Sequence, residues 1–465
     1  MSSLRSHVHT LQTAQTVRLS GRVRDLIGLT VIAEGLPLAL GATCVLRPRG
    51  AASVEAEVIG FRGTDTLLLP LRDPLGVARG TLIESSAAAH TVAVGQQMLG
   101  RTLDGLGRPI DGGPVIHAEA RVPIYADPPA PTQRRPIDAP LATGIRAIDA
   151  MHTVGRGQRL GIFSGTGVGK STLLGMIARN TDADVNVVAL VGERGREVGD
   201  FIRSLDSSRD SVGAVFERDR SAVMDRTVLV VSTSDESPVL RVRACFVATA
   251  IAEFFRDQGL NVLLLVDSIT RMAMAQRQIG LSAGEPPATR GYTPSVFALL
   301  PRLLERSGAG VPPSQGSITG LYTVLVEGDD INDPIGDAVR GILDGHVWLA
   351  RALANRGHFP AVSVLDSISR VMPDVVDRDH LDAARQVRRL LAVWADIEDM
   401  VNIGAYARGT NVEFDAAVDL KPVMDEFLAQ AVHDRAPFDP TRARLMEIGA
   451  RIAAARVACP SAARA

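Results

Sequence analysis

Several residue types and patterns are scarce in this chain, and each shortage narrows the classes of protein to consider. Cysteine occurs three times, at Cys44, Cys245 and Cys459, and no CxxC pair is present. Disulfides or a cysteine metal site are therefore not expected, and a reducing cytoplasm fits this usage. No run of about 18 apolar residues occurs, and the polar stretch from Met1 to Ser20 lacks the apolar centre of a signal peptide. The sequence thus predicts no membrane-spanning helix, and any membrane contact would be peripheral.

The chain also lacks an excess of charge of one sign. Lysine plus arginine number 50 and aspartate plus glutamate number 52, which gives a net charge of −2. Proteins that bind nucleic acid usually carry a strongly basic surface, so no nucleic-acid partner is expected. Apolar residues make up 46% of the chain and charged residues 22%, which is an ordinary globular composition. The length of 465 residues predicts two or three domains.

The region from about residue 18 to residue 95 has the sequence pattern of an all-β domain. Short β-prone runs alternate with glycines, which is typical of a small barrel or sandwich. The runs include Val45-Leu46, Val54 to Ile59 and Thr66 to Leu69, and the separating glycines include Gly28, Gly41, Gly50, Gly60 and Gly63. We predict an N-terminal β-barrel domain over residues 1–95.

Continuous apolar runs mark the central region. Val185 to Val191, Thr227 to Val231 and Asn261 to Val266 suit strands buried on both faces of a parallel sheet. Leu240 to Asp257 is long enough for a helix between the last two, so a central α/β domain is predicted over residues 96–376. Apolar residues recur at helical spacing from Leu381 to Leu391, and a C-terminal helical domain is predicted over residues 377–465.

A glycine-rich motif stands between a predicted strand, Leu160 to Phe163, and a predicted helix, Ser171 to Arg179. This is the setting of a P-loop, where glycines let backbone N–H groups turn around an anion at a helix N-terminus. Lys170 would reach the β- and γ-phosphates of ATP, and the Ser171 hydroxyl would hold Mg²⁺. The strict pattern begins with glycine where this chain has Ser164, and the alternative is an ordinary glycine turn. The expected nucleotide-binding residues of the loop are Gly165, Thr166, Gly167, Val168, Gly169, Lys170, Ser171 and Thr172.

Two acidic residues follow predicted strands and are candidates to act with the loop. Asp267 ends an apolar run, and at the carboxyl end of a parallel strand it could help to hold Mg²⁺. The alternative is an aspartate that caps a helix or shapes a turn. Glu193 follows the strand that ends at Val191 and could polarise an attacking water. It could instead be a surface acid paired with a neighbouring arginine, and Glu197, on a predicted helix, is a rival for the role.

Two residues farther along the chain have a chemistry that suits a nucleotide site. Arg370 could place positive charge on the γ-phosphate oxygens from a neighbouring subunit, although its own context equally fits a salt-bridging arginine. Phe359 could stack on adenine or belong to the core. The nine histidines form no metal-spaced cluster.

A series of sequence blocks carries a family resemblance from about Gly21 to Gly409. The blocks are Leu99 to Gly107, Thr143 to Asp149, Gly157 to Thr172, Gly192 to Val198, Phe255 to Gly259, Asp267 to Arg271, Gly284 to Gly291, Gly316 to Thr319 and Ile403 to Tyr406. Together they resemble the flagellar protein-export ATPases and the type III secretion ATPases of injectisomes. Both look like the catalytic β-subunit of rotary ATP synthases.

The resemblance implies an enzyme that hydrolyses MgATP in a homo-oligomer, a hexameric ring, with the N-terminal barrel serving oligomerisation. The positions that match the family's phosphate, magnesium and water-activating residues are Lys170, Ser171, Asp267 and Glu193. Arg370 matches the arginine finger, and Phe359 falls at an adenine-stacking position. The implied partners are export-gate proteins, regulators and chaperone–cargo complexes. The implied location is the cytoplasm, peripherally associated with the export apparatus of the inner membrane.

Other functions stay open on the sequence. A rotary ATP synthase catalytic subunit would carry an acidic DELSEED-like stretch near its C-terminus, which this chain lacks. A nucleic-acid translocase of the same core fold is disfavoured by the near-neutral charge. Between the flagellar and injectisome systems, the stretch Leu321 to Pro334 looks more flagellar. Around Ser207 to Asp225 the chain is longer than the family pattern by roughly ten residues, and a polar surface excursion is expected.

Overall fold

The computed structural model describes residues 19–86, 90–205, 223–326, 328, 330 and 333–457. Most of the segment from Ser207 to Asp225 lies outside these residues, as do Cys459 and part of the stretch from Leu321 to Pro334. Within the described ranges, no helix is long and apolar enough to cross a membrane.

Six antiparallel strands form a closed barrel near the N-terminus. They are β1 (Ser20–Ile27), β2 (Thr30–Glu34), β3 (Thr43–Arg47), β4 (Val54–Arg62), β5 (Asp65–Pro70) and β6 (Leu82–Ser85). They neighbour one another in the order β1-β2-β5-β4-β3-β6, and β6 pairs with β1 to close the barrel. Buried apolar side chains such as Val23, Val31, Leu46 and Leu68 fill the interior. The predicted barrel and its three predicted strand runs are confirmed.

The glycine prediction was wrong at one position in this barrel. Gly60 does not separate two strands, because it lies inside β4, and the register between β4 and β5 shifts between Val58 and Gly60. Glycine also favours β-bulges, where one strand carries an extra residue, so the same residue type marks two different features.

A second, larger sheet forms the centre of the molecule. Its strands are β8 (Thr102–Leu103), β12 (Arg159–Ser164), β13 (Val185–Val191), β14 (Thr227–Ser232), β15 (Asn261–Asp267), β17 (Ser317–Leu325), β18 (Gly345–Leu349) and β19 (Val362–Ser369), and β16 (Gly308–Ala309) pairs with β17. They stand in the order β19-β18-β12-β17-β15-β13-β14-β8, and all are parallel to their neighbours except β19. Every residue of β13 and β14 is buried, as the continuous apolar runs predict.

Shorter strand pairs and the helices complete the fold. Two small sheets are formed by β7 (Thr91–Val94) with β9 (Ala120–Pro123) and by β10 (Pro140–Leu141) with β11 (Val154–Gly155). The helices up to the last strand are α1 (Arg146–Met151), α2 (Lys170–Asn180), α3 (Gly195–Leu205), α4 (Pro238–Asp257), α5 (Ile269–Ala283), α6 (Pro294–Leu304), α7 (Pro334–Ile342) and α8 (Arg351–Asn355). The later ones are α9 (Met372–Val375), α10 (Arg378–Asn402), α11 (Val412–Leu428) and α12 (Phe438–Val457), and α10, α11 and α12 pack on one another. The predicted helical C-terminal region is confirmed.

Because the central strands are parallel, the sheet has two distinct ends. We call the end where β12, β13 and β15 finish the carboxyl edge, and the end where they begin the amino edge. Ligands of open parallel sheets bind beyond the carboxyl edge. The strands that end there lead into the glycine-rich loop, Glu193 and Asp267, so the topology collects the candidate residues from distant parts of the sequence.

Candidate active site

The glycine-rich loop connects β12 to α2 at the carboxyl edge of the sheet. Gly167 has φ of 79° and Gly169 has φ of 91°, in the left-handed region that side chains with a Cβ rarely adopt. Helix α2 starts at Lys170, directly after the left-handed Gly169. The loop therefore ends at a helix N-terminus, where unpaired N–H groups and the helix dipole favour an anion.

Lys170 is buried between two carboxylates at the carboxyl edge. Its side chain is 10% exposed, its Nζ contacts Asp267 Oδ1, and it lies 3.6 Å from Glu193 Oε1. Asp267 ends β15, which is separated from β12 by β17 alone. The Thr323 hydroxyl of β17 donates a hydrogen bond of 2.7 Å to Asp267 Oδ1. Sequence reasoning missed Thr323, because no local motif marks a hydroxyl in the middle of an apolar strand.

Glu193 has a perturbed protonation equilibrium. Burial raises the pKa of its carboxyl to about 7, and a hydrogen bond to Glu197 and the negative charge of Asp267 act in the same direction. The same hydrogen bond lowers the pKa of Glu197, so the more deeply buried Glu193 keeps its proton to a higher pH than Glu197. Arg271 lies 3.3 Å away, from its Nε to Glu193 Oε1. Sequence reasoning gave Arg271 no role, although it stands four residues after Asp267 in one of the family blocks.

One oxygen of Glu193 is buried without a hydrogen-bond partner. Among the described residues, no hydrogen bond reaches its Oε1, although Lys170 and Arg271 stand nearby. Buried polar atoms are nearly always satisfied in native proteins, by protein groups, water or a ligand. In this structure Oε1 is held by the charges of Lys170 and Arg271 and not by a hydrogen bond.

The residues at the carboxyl edge fit a magnesium ion that accompanies a nucleotide. Ser171 is exposed at the first turn of α2, and Asp267 supplies carboxylate oxygens beside Lys170. Magnesium prefers oxygen ligands and is commonly bound through one or two protein groups together with substrate phosphates. Within the described part of the chain, no group of three or more His, Cys, Asp and Glu residues is arranged to hold a metal by itself.

Two residues from the segment after β18 contact the glycine-rich loop. The ring of Phe359 lies 3.6 Å from the position that a Cβ on Gly169 would take. It is 44% exposed, so the alternative of a core phenylalanine does not hold. Arg351 Nη1 donates a hydrogen bond of 3.1 Å to the Thr166 carbonyl. Sequence reasoning did not single out Arg351, since nothing in its local sequence shows that the preceding strand neighbours β12.

Arg370 does not join the other candidates. Arg370 follows β19, and its backbone N–H donates a hydrogen bond of 3.0 Å to the Asp344 carbonyl. The Asp344 N–H in turn donates a hydrogen bond to the carbonyl of Arg159, which is the first residue of β12. The glycine-rich loop begins at the other end of β12, about 16 Å away at about 3.3 Å per residue. The Arg370 side chain is exposed. Within one chain, Arg370 and Lys170 therefore stand at opposite edges of the sheet.

Comparisons with known proteins agree with this architecture. The sequence model for the nucleotide-binding domain of the ATP synthase alpha/beta family matches residues 144–369, and the model for the T3SS EscN ATPase C-terminal domain matches residues 376–447. The flagellum-specific ATP synthase of Bacillus subtilis (strain 168) is 46% identical over 445 residues, which cover 95% of this chain and 98% of that protein. The chain belongs to the family of flagellum-specific ATP synthases and type 3 secretion system ATPases. The family resemblance found in the sequence is confirmed.

Relatives from the secretion branch of the family are equally similar. The type 3 secretion system ATPase of Xanthomonas euvesicatoria is 46% identical over 93% of this chain and 94% of its own. The solved structure of the assembled ATPase EscN from enteropathogenic E. coli superposes with a TM-score of 0.84 at 42% identity, covering 92% of this chain and all of that chain. As a member of this ATPase family with the same three-part architecture, the chain is an ATP-hydrolysing enzyme.

Proposed function

We propose that this ATPase hydrolyses MgATP in a homo-oligomeric ring, a hexamer, and so energises type III export of flagellar proteins. The observation that carries the proposal is the separation of Lys170 and Arg370 at opposite edges of one sheet. A chain with both residues cannot bring them together by itself. A second copy, arranged head to tail, can present its Arg370 to the first copy's loop, and such heterologous contacts close into rings.

The glycine-rich loop and Lys170 hold the phosphates in this proposal. The N–H groups of the loop and the α2 N-terminus surround the phosphate oxygens, and Lys170 is drawn from its carboxylate neighbours to the β- and γ-phosphates. Ser171 and Asp267 would hold the magnesium ion, which neutralises charge developing on the phosphate oxygens. The exposed ring of Phe359 beside Gly169 suits a stacking contact with adenine.

Glu193 acts as the group that activates water. Its ionised carboxylate accepts a proton from a water molecule as the water oxygen attacks the γ-phosphorus, and the bond to the bridging oxygen of ADP breaks. Arg370 of the neighbouring copy is the residue that stabilises the negative charge of the transferred group. Fingers of this kind contribute about 10³ to 10⁵ in rate.

The biological setting rests on the relatives. The solved structure of EscN bound to its central stalk EscO, with a TM-score of 0.82 to this chain, supports a stalk-like partner here. Export-gate proteins, regulators and chaperone–cargo complexes would be further partners, with the ring in the cytoplasm and peripherally associated with the inner membrane. Identity alone does not separate the flagellar from the injectisome relatives, since both reach 46%. The resemblance of Leu321 to Pro334 favours the flagellar system.

Mixing two inactive variants tests the shared site. We expect Lys170→Ala to abolish hydrolysis, because the phosphates lose their main cationic partner, and Arg370→Ala to lower it at least about 10³-fold. In randomly mixed rings, about a quarter of the interfaces combine an intact lysine with an intact arginine. Activity should therefore return on mixing, as measured by phosphate release.

A matched mixture controls for nonspecific rescue. Lys170→Ala mixed with the double variant Lys170→Ala/Arg370→Ala contains no intact lysine and should stay inactive. If the two single variants stay inactive in rings shown by mass spectrometry to be mixed, the site is not shared between copies.

A steep rise of specific activity with protein concentration would support assembly of the active site. Motility restored to a flagellar-ATPase deletion strain would distinguish the flagellar from the injectisome system.

A further inference from the structure

The segment between β18 and β19 touches the glycine-rich loop at two points. Leu349, the last residue of β18, pairs with Ser164, the last residue of β12. The chain after each strand therefore emerges at the same level of the carboxyl edge. Arg351 bonds to the Thr166 carbonyl near the start of the loop, and Phe359 packs beside Gly169 at its end.

This segment is internally braced. The Ala350 N–H bonds to the Ala361 carbonyl at 2.8 Å, and the His358 N–H bonds to the Leu353 carbonyl at 3.0 Å. Arg356 Nη1 bonds to Glu398 of α10 at 2.6 Å. Hydrogen bonds within the connection between β18 and β19 hold its backbone in place, and the Arg356–Glu398 pair attaches it to α10. This connection carries Arg351.

The glycine-rich loop has little support of its own at its centre. Thr166 and Gly167 are exposed, although the next residue, Val168, is buried, and a Cβ built on Gly167 would meet no heavy atom within 4 Å. A glycine loses more conformational freedom than any other residue when it is held in one conformation. A contact to this exposed part of the loop reduces the freedom that is lost when its N–H groups point at a phosphate, so it favours nucleotide binding.

We propose that Arg351 is a positioning residue that orients the loop for phosphate binding. The peptide between Thr166 and Gly167 is planar and trans, so its carbonyl and its N–H point in opposite directions. The bond from Arg351 to the Thr166 carbonyl turns that oxygen toward α8. The Gly167 N–H is thereby turned away from α8. This inference rests on the proposed role of the loop in binding ATP.

The test compares nucleotide binding by full-length variants at Arg351. Arg351→Met keeps much of the side-chain length but removes every donor, and we expect it to weaken both ADP and a nonhydrolysable ATP analogue about fivefold. Because the bond fixes the backbone and does not touch the γ-phosphate, the factor should be the same for both nucleotides. The KM for ATP should rise by a similar factor with little change in kcat. Arg351→Lys, which keeps a charged donor, should recover part of the affinity.

Arg385→Met is the matched control, since it removes an exposed arginine of α10, paired with Asp382, that takes no part in the connection or the loop. It should bind both nucleotides like the parent protein. Unchanged binding by Arg351→Met would overturn the inference, and so would a loss for the ATP analogue alone, which would indicate a γ-phosphate contact. Amide hydrogen exchange at Gly167 in the nucleotide-free protein gives a second readout, and it should be faster in Arg351→Met. If Lys170→Ala binds nucleotide as tightly as the parent, the proposed function itself fails, whatever the result at Arg351.

Discussion

Two buried charge clusters of this ATPase look alike by composition and differ in how completely their polar atoms are paired. At the carboxyl edge, Lys170 stands between Asp267 and Glu193. Deep in the central region, Arg306, whose side chain is fully buried, pairs with Glu253 of α4. Its Nε donates a hydrogen bond of 2.9 Å to Glu253 Oε1, its Nη2 contacts the other carboxylate oxygen, and its Nη1 contacts the Ile124 carbonyl.

The difference lies in what each cluster leaves unpaired. Each side-chain nitrogen of Arg306 has an acceptor, so this cluster joins α4, the end of α6 and the chain after β9 as a closed unit. The cluster of Lys170 leaves Glu193 Oε1 buried without a hydrogen bond in the described part of the chain. A satisfied buried network holds a fold together, whereas a buried polar atom without a partner calls for a specific reason, of which a ligand position is one.

The largest effect that would sharpen this contrast is expected at Glu193. Glu193→Gln removes the proton acceptor but keeps the shape, so turnover should fall about 10²- to 10⁴-fold. Nucleotide affinity and the unfolding midpoint should change little, since the phosphates are held by other groups. Steady-state phosphate release and a nucleotide titration measure the two quantities. Near-normal turnover would reject the assigned role of Glu193.

The opposite pattern is expected at Arg306. Arg306→Met leaves the Glu253 carboxylate and the Ile124 carbonyl without their partner, which should cost about 3–5 kcal/mol of unfolding free energy. Denaturant unfolding followed by fluorescence measures this loss. Replacing both partners, with Arg306→Met and Glu253→Leu together, should restore part of the stability because no unpaired charge remains. If Arg306→Met instead lowered turnover without lowering stability, the Arg306 cluster would serve catalysis as the Lys170 cluster does, and the contrast between them would fail.

A smaller effect is expected from pH. Burial raises the pKa of Glu193 to about 7, and only the ionised carboxylate accepts a proton, so the rate should fall as pH falls through this value. From pH 7 to pH 6 the ionised fraction drops from about one half to about one eleventh, which predicts a loss of about fivefold. Glu197→Gln removes the ionised partner that favours protonated Glu193, so it should move the midpoint to lower pH. A profile that is flat between about pH 6 and pH 8 would contradict this account.

Local sequence was informative wherever function depends on consecutive residues. The glycines, Lys170 and the preceding strand occur within a short stretch, and the β12–loop–α2 geometry follows from it. The apolar runs predicted β13, β14 and β15, because a strand buried on both faces has to be apolar throughout. Gly60 shows the limit of this reasoning, since one glycine fits a turn and a bulge equally well.

Contacts between distant residues could not be obtained in this way. Thr323, Arg271 and Arg351 reach the site only because β17, α5 and α8 are brought to it by the strand order. A hydroxyl or a guanidinium has no local pattern that states its partner. The family blocks included Arg271, but they assigned it no contact.

The order of residues along the chain determined the phosphate loop and the secondary-structure class of each region, which is β, α/β or helical. Through its resemblance, it also determined the family. Only the tertiary structure decided that burial raises the pKa of Glu193, that Phe359 is exposed beside the loop and that Arg370 lies at the far edge of the sheet. The physical reason is that burial and distance depend on which strands become neighbours. A protonation equilibrium, or the reach of an arginine, is set by those neighbours and not by the residues on either side in sequence.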